Sequence, residues 1–91
     1  MVFCKEAGKN LRVGPGVVIG RNGIEFPIIG DNVFIAANSV VIGDIKIGDN
    51  VIVGAGSVVT SDLPSNGIYF GNPAKLYKPI LPGSKYLEQI M

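Results

Sequence analysis

Histidine and tryptophan are absent from the sequence, and cysteine occurs once, as Cys4. Imidazole is the side chain most often used as a general base near neutral pH and as a zinc ligand. Ser-His-Asp and Cys-His catalysis are therefore excluded, as is any histidine metal site, and neither a catalytic residue nor a metal ligand is assigned. A lone thiol cannot close an internal disulfide, which is compatible with a reducing compartment, and Cys4 reads as a small buried hydrophobe rather than a reactive group. Charge is scarce too. The 8 Lys plus Arg against 7 Asp plus Glu leave +1 overall, and charged residues make up 16% of the chain, below the usual ~25%. No basic cluster could track a phosphate backbone, so nucleic acid is not an expected partner. No apolar run approaches the length of a membrane span or of the apolar core of a secretion signal; no membrane is expected, and the expected location is the cytoplasm.

What is present is apolar and glycine-rich: 47% of the 91 residues are hydrophobic and 13 are glycine. This composition belongs to a globular domain rather than a disordered tail. With so little charge, part of the surface is expected to be covered by another subunit.

The apolar residues are periodic. From Ile29 the chain divides into the hexads IGDNVF, IAANSV, VIGDIK, IGDNVI, VGAGSV and VTSDLP, whose first positions are Ile29, Ile35, Val41, Ile47, Val53 and Val59. Every one is β-branched. The fifth positions, Val33, Ser39, Ile45, Val51, Ser57 and Leu63, are small or aliphatic, and the turn formers Gly, Asp, Asn and Ala fall between; Val41-Ile42 departs, with Ile where Gly or Ala is usual. The register also runs backwards through AGKNLR, VGPGVV and IGRNGI to Ala7, interrupted by four extra residues, Glu25–Ile28, that read as a loop leaving one corner.

An amphipathic helix would space its apolar residues by three and four. A six-residue period instead describes a coiled sheet of short strands and tight turns. Three hexads make one triangular coil of eighteen residues, so Ile29–Lys46 and Ile47–Pro64 are two full coils, with the first and fifth positions pointing into the prism. Such a solenoid buries its core only by stacking, its end coils need capping or pairing, and so thin a core barely offsets the ~1–2 kcal/mol of conformational entropy lost per residue. An isolated monomer is expected to be unstable. After Pro64 the period is expected to stop, with a short strand at Ile68–Phe70, a loop at Gly71–Pro73, and a final helix capped by Ser84 that packs through Tyr86, Leu87 and Ile90. Residues 1–64 are read as the repeat and 65–91 as a cap loop and tail.

The hexads, followed by NGIYFGNPAKLYK, resemble the C-terminal half of the hexapeptide-repeat acyltransferases, in particular serine acetyltransferases and sugar or capsular polysaccharide O-acetyltransferases. The similarity spans residues 7–79, and the paired elements GAGSVV and GNPAK make it specific. It implies an all-β fold, a left-handed parallel β-helix of three to four triangular coils with a short C-terminal extension, against the usual right-handed crossover. It also implies a homotrimer with ligand sites between subunits, and acetyl-CoA as acyl donor lying along a prism edge against backbone N–H and C=O groups. Small residues are required there, which maps onto Ala36, Ala37, Gly54, Ala55 and Gly56; tight corners alone would also explain them. Phe34 matches a position where related enzymes place an aromatic near the cofactor, and Thr60 and Ser61 match the turn beside its phosphorylated end. Lys75 matches a basic residue that approaches the phosphates, although an exposed lysine is ordinarily solvated surface.

One departure bears on activity. The family carries a catalytic histidine on an earlier coil, which takes the proton of the acceptor hydroxyl, and this chain has none. Where the serine acetyltransferase pattern reads His-Pro, this chain reads Phe26-Pro27. The loop Asn22–Ile28 falls where the acceptor pocket would be, and Glu25, its only ionisable side chain, reads as an ordinary exposed glutamate. A general base contributes typically ~10²–10⁴-fold. The expected function is thus an acetyl-CoA-dependent O-acetyltransferase acting on a serine or sugar hydroxyl, truncated and impaired. The alternative is a non-catalytic trimerising β-helix that binds CoA or completes a partner chain. A carbonic anhydrase of this fold needs zinc-binding histidines, an ice-binding helix needs ranks of threonine, and a dinucleotide site needs a third glycine before a helix; none is present.

Overall fold

A hexad whose first and fifth residues turn inward leaves two or three residues for each strand and three for each corner, so short strands should pair with the same side of the next coil. The computed structural model, which describes residues 6–20 and 26–80, has this arrangement. Its strands are β1 (Glu6–Ala7), β2 (Arg12–Val13), β3 (Val18–Gly20), β4 (Ile28–Ile29), β5 (Val33–Ile35), β6 (Val40–Ile42), β7 (Lys46–Ile47), β8 (Val51–Val53), β9 (Val58–Val59), β10 (Gly67–Gly71) and β11 (Ala74–Pro79). They form three parallel faces, β1-β4-β7, β2-β5-β8-β10 and β3-β6-β9, with β11 returning antiparallel along β10. No helix of the described residues is long and apolar enough to cross a membrane.

The interior is the ladder read from the hexads: Ile29, Ile35, Val41, Ile47, Val53 and Val59, with Val33, Ser39, Ile45, Val51, Ser57 and Leu63, are all buried. Each buried aliphatic side chain contributes about 1.5–3 kcal/mol relative to exposure. The pairings Val33↔Val51 and Val40↔Val58 step eighteen residues per coil. Glu6↔Ile28, Arg12↔Phe34 and Val18↔Val40 step twenty-two, which places the four extra residues between β3 and β4.

The last coil corrects one expectation. Ile47 bridges Leu63 and Val51 pairs with Gly67, steps of sixteen, so the chain drops two residues after β9. Leu63 therefore continues the row of first positions, not the fifth, and LPSNGI (63–68) is a further hexad in shifted phase. The repeat does not stop at Pro64. The strand expected at Ile68–Phe70 is longer, β10, and a second strand, β11, occupies the segment expected to be loop and tail. Cys4, Glu25 and the helix expected from Ser84 lie outside the described residues.

One corner holds the coils together. Asn10, Asn32, Asn50 and Asn66 have φ of 61°, 56°, 55° and 63°, a left-handed conformation that asparagine tolerates better than most residues. Their side chains form a ladder: Asn10 Nδ2 donates to Asn32 Oδ1 (2.9 Å), Asn32 to Asn50 (3.3 Å) and Asn50 to Asn66 (3.0 Å). Beside it, the backbone N–H of Lys9 donates to Asp31 (2.8 Å), that of Asp31 to Asp49 (2.7 Å) and that of Asp49 to Ser65 Oγ (2.8 Å). Such contact leaves no room for a side chain before the turn; a Cβ on Gly30 would stand 2.8 Å from the Gly48 carbonyl.

The two ends of the prism differ. Tyr69 is buried in the core at the C-terminal end, and its hydroxyl donates to the Pro64 carbonyl at 3.0 Å. At the other end Val13, an inward position, is 42% exposed. The outer faces differ as well. The β2-β5-β8-β10 face carries Phe34, Ile52 and Ile68, and Ile80 packs over the last two. The β3-β6-β9 face aligns Val18, Val40 and Val58, with Ile42 beside them, all half-buried with no described segment packed over them.

Asn32→Ala loses two ladder bonds and forces a left-handed alanine, whereas Asn32→Gly loses only the bonds. Asn32→Gly is expected to retain about 1–2 kcal/mol more stability than Asn32→Ala in denaturant unfolding; equal losses would show that the backbone conformation is not what selects asparagine. Burial holds the Tyr69 hydroxyl above its ordinary value, because a phenolate is poorly solvated there. A pKa raised on folding adds stability that is complete below the unfolded value of ~10 and is lost as pH rises through the folded value. Tyr69→Phe should cost about 1 kcal/mol at neutral pH and less as pH climbs above ~10. A difference between the two proteins that is constant with pH would contradict this.

Candidate functional site

The second corner of each coil follows β2, β5 and β8 and reads Gly14-Pro15-Gly16, Ala36-Ala37-Asn38 and Gly54-Ala55-Gly56. Its third residue is left-handed each time, at Gly16 (73°), Asn38 (61°) and Gly56 (70°). Backbone bonds stack the turns: Ala36 N–H donates to Val53 O (2.9 Å), Gly56 N–H to Ala37 O (3.0 Å) and Gly54 N–H to Tyr69 O (2.9 Å). Two buried hydroxyls lock them from inside. Ser39 Oγ donates to Gly54 O at 2.8 Å, and Ser57 Oγ accepts from the Gly71 N–H at 3.2 Å. The second bond ties the β10–β11 hairpin to this corner.

The small residues here are small for different reasons. A Cβ on Gly14 would lie 2.7 Å from Ala37 N, so backbone contact demands glycine. Gly54 is buried because the Phe70 ring lies against it, where a Cβ would collide. Gly56 and Ala55 are exposed, and a Cβ on Gly56 would meet nothing within 4 Å. The N–H groups of Ala37 and Ala55 have no hydrogen-bond partner among the described residues. An open turn with free backbone donors suits a linear ligand bearing amide carbonyls.

The structure brings Ala36, Ala37, Gly54, Ala55 and Gly56 together on adjacent coils of this corner. Phe34 lies on β5 just before Ala36, but its side chain packs with the Ile52-Ile68-Ile80 cluster on the outer face of the sheet. Lys75 lies on β11 opposite Phe70 and is exposed. Thr60 and Ser61, both exposed, stand on the next corner, separated from Gly56 by the short strand β9. Among the described residues no three His, Cys, Asp or Glu side chains gather into a metal-binding group. Sequence reasoning missed Ser57 as a tether and Phe70 as the residue over Gly54. The spacing of two aromatics across the Gly-Asn-Pro turn was the available signal for a cross-strand pair.

Residues 26–61 match the family model of the bacterial transferase hexapeptide (six repeats). The serine acetyltransferase of Neisseria gonorrhoeae superposes with a TM-score of 0.76 at 39% identity, over 88% of this chain and 32% of its own. That of Brucella abortus, solved in complex with coenzyme A, gives 0.81 at 28% identity, over 89% and 34%. The Neisseria enzyme in complex with serine gives 0.66 at 34% identity, over 77% and 39%. The chain thus spans about a third of the length of the first two structures. No curated protein sequence matches significantly. Residues 26–61 thus carry the repeat of the bacterial hexapeptide transferases, and the fold is the left-handed parallel β-helix of those transferases.

If the Phe70 ring fixes the environment of Gly54, Gly54→Ala should destabilise by about 1–3 kcal/mol through overpacking. In the background of Phe70→Ala the same change should cost about 0.5 kcal/mol or more less, a coupling that a double-mutant cycle reads directly. Strict additivity would mean that the ring yields freely.

Proposed function

We propose that this chain is the acetyl-CoA-binding section of an O-acetyltransferase β-helix, that it holds the cofactor along its second corner, and that it works as a homotrimer. The observation that carries the reading is the open Ala55-Gly56 turn with unpartnered N–H groups at Ala37 and Ala55. When bound, acetyl-CoA supplies the activated acyl thioester. Ala36, Ala37, Ala55 and Gly56 form the floor on which the pantetheine arm lies, with the two free N–H groups as donors to its amides. Phe34 supplies an apolar wall, Thr60 and Ser61 offer hydroxyls at the next turn, and Lys75 offers a cation to the phosphates. The relatives in complex with coenzyme A and with serine support a CoA thioester as donor and a small hydroxyl compound, a serine or a sugar, as acceptor.

The trimer rests on the β3-β6-β9 face. Its column Val18, Val40 and Val58, with Ile42, is an apolar surface next to both the second corner and the Thr60-Ser61 turn, and a subunit packed on it would border the cofactor groove. Acetyl transfer is another matter. The acceptor oxygen must lose its proton, and the 91 residues include no histidine to take it. Transfer by this chain alone is slow, by the ~10²–10⁴-fold that a positioned base contributes. A second reading, a non-catalytic module that completes a partner chain, is favoured by the exposed Val13 at the N-terminal end of the prism. Under it, CoA binds only once a hexapeptide coil from that partner has covered this end.

Calorimetric titration with acetyl-CoA should show about one site per subunit, and Gly56→Val, a β-branched residue in a left-handed position within the groove, should abolish saturable binding. Absence of binding to the native chain alone would remove the first reading, and acetylation of serine or a hexose at ordinary enzymatic rates, ~1–10³ s⁻¹, would overturn the impairment. Sedimentation should give a trimer that Val40→Glu dissociates; a folded, monodisperse native monomer at micromolar concentration would disprove the assembly.

A further inference from the structure

An open sheet edge is a template for another strand, and proteins blunt such edges by keeping them short. Among the described residues the outermost strands β1, β2, β3, β7 and β9 follow this rule, each being two or three residues long. The remaining outermost strand does not. β11 spans the six residues Ala74–Pro79, is exposed from Lys75 onwards, and has β10 on one side and no described strand on the other.

The two faces of this edge differ in chemistry. Residues opposite one another in an antiparallel ladder share a face. Leu76, opposite Tyr69, lies on the side of the core, where a Cβ on Gly67 would stand 3.0 Å from its Cδ1, yet it is 59% exposed. Lys75, opposite Phe70, and Lys78, opposite Ile68, lie on the outer side. Tyr77, a bulged residue without a partner on β10, stands between them in ring contact with Phe70 and is 71% exposed. Charge is segregated as well. Strands β2, β5, β8, β10 and β11 carry Arg12, Lys75 and Lys78 and neither Asp nor Glu, and no described carboxylate pairs with either lysine.

Lysines guard an edge against its own kind, because a second β11 laid alongside would set cations beside cations. The guard is selective. A strand with carboxylates on the outer side gains from the same lysines, and its alternate residues then fall on the side of Leu76, where apolar groups are favoured. We propose that the free edge of β11 docks an extended segment of a partner protein in which acidic and apolar residues alternate, added to the sheet as a further strand. Main-chain hydrogen bonds supply the affinity and the side chains the selectivity, as in other cases of strand addition. Pro79 has no N–H to offer and ends the site. Lys78 and Leu76 take no part in the cofactor reading, so the site stands whether or not the chain binds acetyl-CoA.

The probe is a blocked peptide of alternating valine and glutamate, about as long as β11, titrated into the whole chain with amide hydrogen exchange as the readout. The same peptide with lysine in place of glutamate is the comparison. The glutamate peptide should slow exchange in β11 and leave β3 and β9 unchanged, and the lysine peptide should do neither. Lys78→Gln should weaken the glutamate peptide by about 1.4- to 5-fold at an unchanged unfolding midpoint. Equal effects of the two peptides, or no slowing in β11 by the glutamate peptide, would overturn the site. Slow exchange in β11 of the chain alone would show the edge already covered, by a second copy if it grows with protein concentration and by the same chain if it does not, and either result overturns the partner proposed.

Discussion

The structure depends on main chain meeting main chain. Successive coils approach so closely at the first corner that a single methyl group on Gly30 would strike the carbonyl of Gly48, and the left-handed asparagine that follows turns the strand while binding its counterpart on the next coil. The aliphatic ladder inside supplies most of the free energy, but it is non-directional and would tolerate a slipped register. The asparagine and aspartate bonds are directional, and they hold the coils at one height relative to each other. Register in this fold is thus set at a corner, not in the core.

The second corner reuses that geometry for another end. Backbone bonds and two buried serines join its turns, yet its last turn is open at Gly56 where the first corner is packed. The same residue types serve three physical purposes within a few ångströms: contact with a neighbouring coil at Gly14, support of an aromatic ring at Gly54, and open space at Gly56. Composition alone does not separate them.

This explains which parts were legible in the sequence. The inward ladder could be read from spacing because a β-branched residue recurs every six residues from Ile29 to Val59. The shift after Val59 was hidden: losing two residues moved Leu63 from one aliphatic row to another, so the pattern looked unbroken just where its phase changed. Handedness was not contained in the six-residue count and came from the likeness to hexapeptide transferases. The contact of Phe70 with Gly54 was illegible because it depends on a hairpin whose return strand, β11, is exposed along most of its length. Nothing in its own alternation announces a strand. Phe34 shows the converse: the sequence placed an aromatic beside the small-residue turn, but its side chain packs against Ile52, its register partner on β8, and the cluster that Ile52 forms with Ile68 and Ile80.

The closed end of the prism has a consequence for biosynthesis. Tyr69, which plugs the core, and Ile80, which shields the outer isoleucines, are translated after the three coils they seal. Each coil therefore emerges from the ribosome with its lower rim unfinished, and until Tyr69 is free of the exit tunnel the nascent chain offers unpaired strand rims to any other chain nearby. The prism is closed by residues made after its coils, so misassembly threatens most in the interval before Tyr69 emerges.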